Sequence, residues 1–122
     1  MATILVIDDQ PMNLDLVEYV LQKAGHTVMT ADSAEQGFVR IAECRPDLIL
    51  MDIQMPGMDG LEMTRRLKAD AATRGIVVVA LTAYAMKGDE QRMTDAGCDG
   101  YLAKPINVRT FAEQVGRWLP RP

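Results

Sequence analysis

The segment Leu48-Ile49-Leu50-Met51, entered from Pro46-Asp47 and closed by Asp52, sets what this chain can fold into. An unbroken apolar run of that length, left through a Pro/Gly-rich stretch, fits a parallel strand covered on both faces better than a strand with one wet face. Asp52 then stands at the carboxyl end of that strand, where open α/β sheets bind their ligands. A carboxylate delivered there is placed for chemistry, at an edge expected to be open to solvent. In the loop that follows, Pro56 cannot extend a strand, Gly57 and Gly60 permit tight geometry, and Asp59 with Glu62 has the spacing of a capping box.

The flanking segments alternate. Thr3 to Ile7 is a β-branched apolar run that stops at Asp8-Asp9, and Pro11 with Asn13 marks the turn into a helix. Leu14, Val17, Leu21 and Ala24 recur at helical spacing before Gly25. Thr27 to Ala31 is a short strand, Ser33 with Gln36 caps a second helix, and Phe38, Ile41 and Ala42 carry its inner face. Leu61 to Ala69 reads as a third helix with Leu61, Met63 and Leu67 inward and Arg65, Arg66 and Lys68 toward water or a partner. Ile76 to Leu81 is strongly strand-like and ends at Thr82-Ala83. Lys87 to Ala96 is a polar helix closed by Gly97 whose inner stripe is only Met86, Met93 and Ala96, so it should pack lightly and be free to shift. Gly100 to Ala103 is a last strand ended by Lys104-Pro105, and Asn107 caps a final helix with Phe111, Val115 and Leu119 inward. Five strands alternating with five helices imply an α/β, doubly wound parallel sheet.

With 122 residues, 48% hydrophobic and 25% charged, the chain is expected to be one globular domain spanning residues 1–122. A net charge of −4 makes nucleic acid or an anionic membrane a poor partner and favours a protein or a cation. Cys44 and Cys98 have no ligand or redox spacing and read as reduced, partly buried residues. Without a leader-like start or a membrane-length apolar segment, the expected location is the cytoplasm.

In a parallel sheet the strands point alike, so Asp8, Asp9, Asp52, Thr82 and Lys104 converge on one edge. Clustered carboxylates repel one another, and either protonation or a cation must relieve them. Hard oxygen ligands with an open side suit Mg²⁺, which accepts carboxylates beside a phosphate. Lys104 can pair with Asp52 and then with a phosphoryl oxygen, while the Thr82 hydroxyl donates to another. A carboxylate nucleophile, a divalent ion and a lysine are what in-line phosphoryl transfer to aspartate requires. Taken singly, each residue has a plainer role: Asp8-Asp9 as a helix cap, Asp52 as a turn residue, Thr82 as a strand end, Lys104 as a solvated charge, Tyr101 as a core aromatic. His26 reads as a surface residue and the methionines as gap-fillers. The joint placement of so many groups at strand ends of one sheet outweighs those separate explanations.

Asp8-Asp9, Leu48 to Asp52 with Met55-Pro56-Gly57-Met58-Asp59-Gly60, Thr82-Ala83, and Tyr101 with Lys104-Pro105 together resemble the receiver domain of bacterial two-component response regulators. The segment Ala83 to Glu90 looks most similar to the single-domain regulators of the cell-division type. The resemblance implies a flavodoxin-like sheet of order 2-1-3-4-5. It makes Asp52 the phosphoacceptor, supplied by a histidine kinase or histidine phosphotransfer protein. Asp9 would bind Mg²⁺ (or Mn²⁺) directly, Asp8 directly or through water, with Asp52 and the backbone carbonyl of Gln54. Lys104 and the backbone of Ala83 would contact the phosphoryl group, and the Lys104-Pro105 bond would be cis. Thr82 and Tyr101 would form the switch, acting on a protein target through the face of the fourth helix, last strand and fifth helix, around Lys87 to Arg92 and Tyr101 to Val108. Gln54 and Tyr84 would tune the lifetime of the acyl phosphate. Such a protein accepts a phosphoryl group without being a multiple-turnover enzyme, and is expected as a monomer or weak dimer.

Three alternatives carry different expectations. A flavin-binding electron carrier shares the fold, but a phosphate loop is not seen after strand one, and such a protein would be yellow. A haloacid-dehalogenase-like phosphatase also uses a strand-end aspartate, but needs a second carboxylate where Gln54 stands. A receiver excised from a larger regulator or hybrid kinase keeps the same site in a longer protein.

Overall fold

A computed structural model of the chain describes residues 2–53, 59–82, 87–104 and 106–119, with the backbone alone at 87–89. Its elements are β1 (Thr3–Ile7), α1 (Pro11–Lys23), β2 (Thr27–Ala31), α2 (Ala34–Glu43), β3 (Leu48–Asp52), α3 (Gly60–Ala69), β4 (Val77–Thr82), α4 (Lys87–Ala96), β5 (Gly100–Ala103) and α5 (Phe111–Gly116). The five strands form one sheet in the order β2-β1-β3-β4-β5, every pair parallel.

β3 lies at the centre, buried along its whole length, as an apolar run with no polar alternation requires. The period of two along β1 and β3 divides the core between the faces. Leu5, Ile7, Ile49 and Met51 pack with Ile41 of α2 and Met63 and Leu67 of α3. Ile4, Val6, Leu48 and Leu50 pack with Val17 and Leu21 of α1 and Phe111 and Val115 of α5. Burying one such side chain contributes about 1.5–3 kcal/mol, so the central strands anchor the fold. Met93 and Ala96 of α4 join a smaller cluster with Leu61 and Ala80. Among the described side chains they are the only buried ones α4 supplies, which fits the thin apolar stripe of that helix.

Local signals act as the sequence suggests at several helix ends. Ser33 Oγ accepts from the Gln36 amide and Asp59 Oδ1 from the Glu62 amide. Gly25 (φ 95°) and Gly97 (φ 103°) turn the chain out of α1 and α4 in the left-handed region.

Several placements differ from the sequence reading. Ala24 and Ala42 are exposed, because each falls at the outer end of its helix, and Val20 takes an inner position in α1 instead. Asn107 caps a separate turn, its Oδ1 accepting from the Arg109 amide, and α5 starts only at Phe111. Cys44 is exposed, not partly buried. Lys68 does not face open water. Its ammonium donates to the carbonyls of Arg74 (3.2 Å) and Ile76 (2.8 Å) and to Asp99 Oδ2 (3.0 Å), tying α3 to the start of β4 and the lead-in to β5. His26 is half-buried, and its Nδ1 accepts from the Ala2 amide at 3.3 Å.

Candidate functional site

The shared strand direction brings the chain's acidic strand ends to one rim. Ile7 and Met51 are register partners in β1 and β3, so Asp8 and Asp52, each the next residue along the chain, arrive side by side. The Asp8 amide continues the ladder by donating to the Ala31 carbonyl at 3.1 Å. Its carboxylate is held at both oxygens: Oδ1 accepts from the Gln10 amide (2.9 Å) and Oδ2 from the Lys104 ammonium (3.2 Å). Lys104 Nζ also stands 3.4 Å from Asp52 Oδ2. Lys104 reaches this point because its own amide donates to the Thr82 carbonyl at 2.8 Å, one step beyond the Thr82–Ala103 pairing of β4 and β5.

Asp8, Asp9 and Asp52 each place one carboxylate oxygen within 4.8 Å of the other two. Among the described residues the Lys104 ammonium is shared by two of three clustered carboxylates, and a divalent cation would offset the repulsion their clustering creates. The donors are hard oxygens, and with Asp8 engaged by Gln10 and Lys104, the residues present fit Mg²⁺ better than a softer metal.

Asp52 is not open to solvent as the sequence suggested. It is 3% exposed, beside Asp8 at 1% and Thr82 at 1%. Two packing features among the described residues contribute to this. Lys104 caps the carboxylate, and α3 begins directly against the end of β3, where a Cβ on Gly60 would lie 2.5 Å from the Asp52 carbonyl oxygen. Of the described site residues, Asp9 and Lys104 keep partial exposure, the Lys104 side chain at 18%.

Tyr101 is not a core aromatic. It lies outward on β5, 36% exposed, and its hydroxyl donates to the Glu90 carboxylate of α4. That hydrogen bond to a carboxylate raises the hydroxyl above its ordinary pKa. The structure thus brings together Asp8, Asp9, Asp52 and Lys104, sets Thr82 beside them through the backbone, and leaves Tyr101 facing solvent. The expectations for Gln54, Ala83, Tyr84 and Pro105 fall outside the described residues. Sequence reasoning missed Gln10, whose amide orients Asp8, and placed Glu90 only within the expected partner surface Lys87 to Arg92, without its bond to Tyr101.

A doubly wound sheet with an acidic pocket and one lysine at its carboxyl edge is the frame of a signal-receiving domain. The match to the family described as response regulator receiver domain runs over residues 4–116. The chain belongs to that family. It is 39% identical over 117 residues to the polar-differentiation response regulator DivK of Brucella anthropi, covering 96% of this chain and 95% of that protein. That similarity bears out the placement beside the cell-division regulators. Among solved structures, the chemotaxis protein CheY4 of Vibrio cholerae superposes with a TM-score of 0.92 at 28% identity, covering 98% of this chain and 99% of that one. The N-terminal domain of a response regulator receiver protein from Methanoculleus marisnigri is 36% identical with a TM-score of 0.80, covering 100% and 99%. Among the described residues no helix is long and apolar enough to cross a membrane.

Proposed function

We propose that residues 1–122 act as one receiver domain that takes a phosphoryl group onto Asp52 from a histidine of a kinase or phosphotransfer partner. The observation that supports this best is the Lys104 ammonium standing between the Asp8 and Asp52 carboxylates in a cluster of three. In the transfer a carboxylate oxygen of Asp52 forms the new O–P bond as the histidine N–P bond breaks, and the electron pair leaves with the imidazole nitrogen. Asp9 and Asp52, with Asp8 directly or through water, would hold Mg²⁺, whose positive charge when bound offsets that of the phosphoryl oxygens. Lys104 already faces the Asp52 carboxylate and, as a compact point charge, can follow the added negative charge onto the phosphoryl group.

The phosphorylated carboxyl carries more charge and three strong acceptor oxygens, so it favours the arrangement in which the Thr82 hydroxyl and Lys104 both reach it. Tyr101 then turns inward, and the face formed by α4, β5 and α5 changes shape for a protein partner around Lys87 to Arg92 and Tyr101 to Val108. The light packing of α4 supports its assignment as the element that moves. The protein works in the cytoplasm as a phosphorylated signal carrier and hydrolyses its acyl phosphate slowly, without multiple turnover.

Intact mass after incubation with Mg²⁺ and acetyl phosphate tests the assignment. Wild type should gain one phosphoryl increment and Asp52→Asn none. Equal labelling of the two proteins removes Asp52 as the acceptor.

A further inference from the structure

The outward Tyr101 is hydrogen-bonded to a residue that the phosphoryl chemistry itself does not require. The hydroxyl donates to the carboxylate of Glu90, an exposed residue of α4. Glu90 lies one helical turn before the buried Met93, and the hydrogen bond itself brings its carboxylate to Tyr101 on β5. β5 is an edge strand, paired in the sheet with β4 alone, and Tyr101 is one of its solvent-facing positions. Through this bond the thinly packed helix gains a link to β5 that its apolar stripe does not supply.

We propose that Glu90 is a latch: its carboxylate holds the Tyr101 hydroxyl outward, and so sets how far the resting protein leans against activation. The proposal rests on the reading above in which Tyr101 turns inward on phosphorylation. A contact made in one conformation and absent from the other shifts their ratio by its whole worth. Glu90 is in these terms a positioning residue, acting on the switch through the tyrosine hydroxyl. The raised pKa of that hydroxyl agrees with a carboxylate that favours the protonated, donating form.

Two readouts on wild type, Glu90→Ala, Tyr101→Phe and the double variant test the latch. One is the rate at which acetyl phosphate with Mg²⁺ labels Asp52. The other is the NMR line broadening of the Tyr101 ring by a soluble paramagnet in the unmodified protein, with the ring signals assigned by their loss in Tyr101→Phe. Removing the latch should speed labelling about fivefold, the factor expected for one lost surface hydrogen bond, and should reduce the broadening as the ring spends more time inside. In the Tyr101→Phe background, Glu90→Ala should change the labelling rate no further. Unchanged labelling and unchanged broadening in Glu90→Ala overturn the latch. So does an equal acceleration with Phe at 101, which would mean that the charge acts on the site directly. Should wild type take up no phosphoryl group, the acceptor assignment fails on its own, and the broadening still decides the latch: reduced in Glu90→Ala it upholds the proposal, unchanged it overturns it.

Discussion

The ammonium of Lys104 stands 3.4 Å from the carboxylate of Asp52 while the same nitrogen reaches Asp8 at 3.2 Å, so one cation serves two buried anions. Any cation that enters the pocket competes with it for the same charge.

Lys104→Met removes that competitor and keeps the apolar stem. Mg²⁺ should then bind about tenfold more tightly, because the pocket presents its full negative charge, and the metal-free protein should melt at a lower temperature, because two carboxylates lose their counter-ion. Titration calorimetry and thermal melts with and without Mg²⁺ check both signs. Weaker Mg²⁺ binding in the variant would mean that Lys104 organises the pocket rather than competing within it.

Asp9→Asn relieves repulsion without touching either Lys104 contact. The metal-free protein should gain about 1 kcal/mol, since the site holds like charges together for function at the expense of stability. The gain should vanish in saturating Mg²⁺, which stabilises only wild type. Urea denaturation at both Mg²⁺ levels measures the difference.

Gly60→Ala sets two effects against each other. Alanine in a helix is favoured over glycine by about 1 kcal/mol. Here the new Cβ would sit 2.5 Å from the Asp52 carbonyl oxygen and 2.9 Å from Ile53 Cα, both backbone atoms that cannot swing aside. The clash should win, leaving the variant about 2 kcal/mol less stable. Because the atom displaced belongs to Asp52, acetyl phosphate labelling should slow as well. Chemical denaturation and intact mass report the two effects.

What the sequence made legible follows from which forces are local. The β3 run, the caps at Ser33 and Asp59, and the stops at Gly25 and Gly97 carry their physics within a few residues, and they fall where the pattern puts them. The gathering of Asp8, Asp9, Asp52 and Lys104 was also legible, since parallel strands admit one arrangement of their ends. The depth of Asp52 was not, because it depends on how closely α3 abuts β3 and on where Lys104 folds over, and neither leaves a periodic trace. Lys68 and Glu90 were misread or passed over for a similar reason: a charged residue on a helix looks the same from sequence whether it meets water or a partner across the fold.

Lys68→Met tests the first of those cases. The ammonium's partners are the Arg74 and Ile76 carbonyls and Asp99 Oδ2, the last also accepting from the Val78 amide at 2.8 Å. Removing the charged donor leaves these acceptors short of one partner each and should destabilise the fold by about 2 kcal/mol. The contact lies at the amino-terminal end of β4, away from the acidic rim, so Asp52 labelling should persist. A urea midpoint that does not move would return Lys68 to the surface charges.

His26 supplies a pH dependence with a fixed sign. Its Nδ1 accepts from the Ala2 amide, which needs the unprotonated nitrogen, and burial lowers its pKa below the ordinary 6.5. A group whose pKa is depressed by folding stabilises the protein above its unfolded value and loses that contribution as pH falls through the folded one. Wild type should therefore lose melting temperature on going from about pH 7.5 to about pH 5.5 by more than His26→Gln does, the side-chain carbonyl of glutamine being able to accept a hydrogen bond without titrating near neutral pH. Equal losses in the two proteins would show that the Ala2 contact adds nothing to the fold, and an NMR titration of the single imidazole reads the depressed pKa directly.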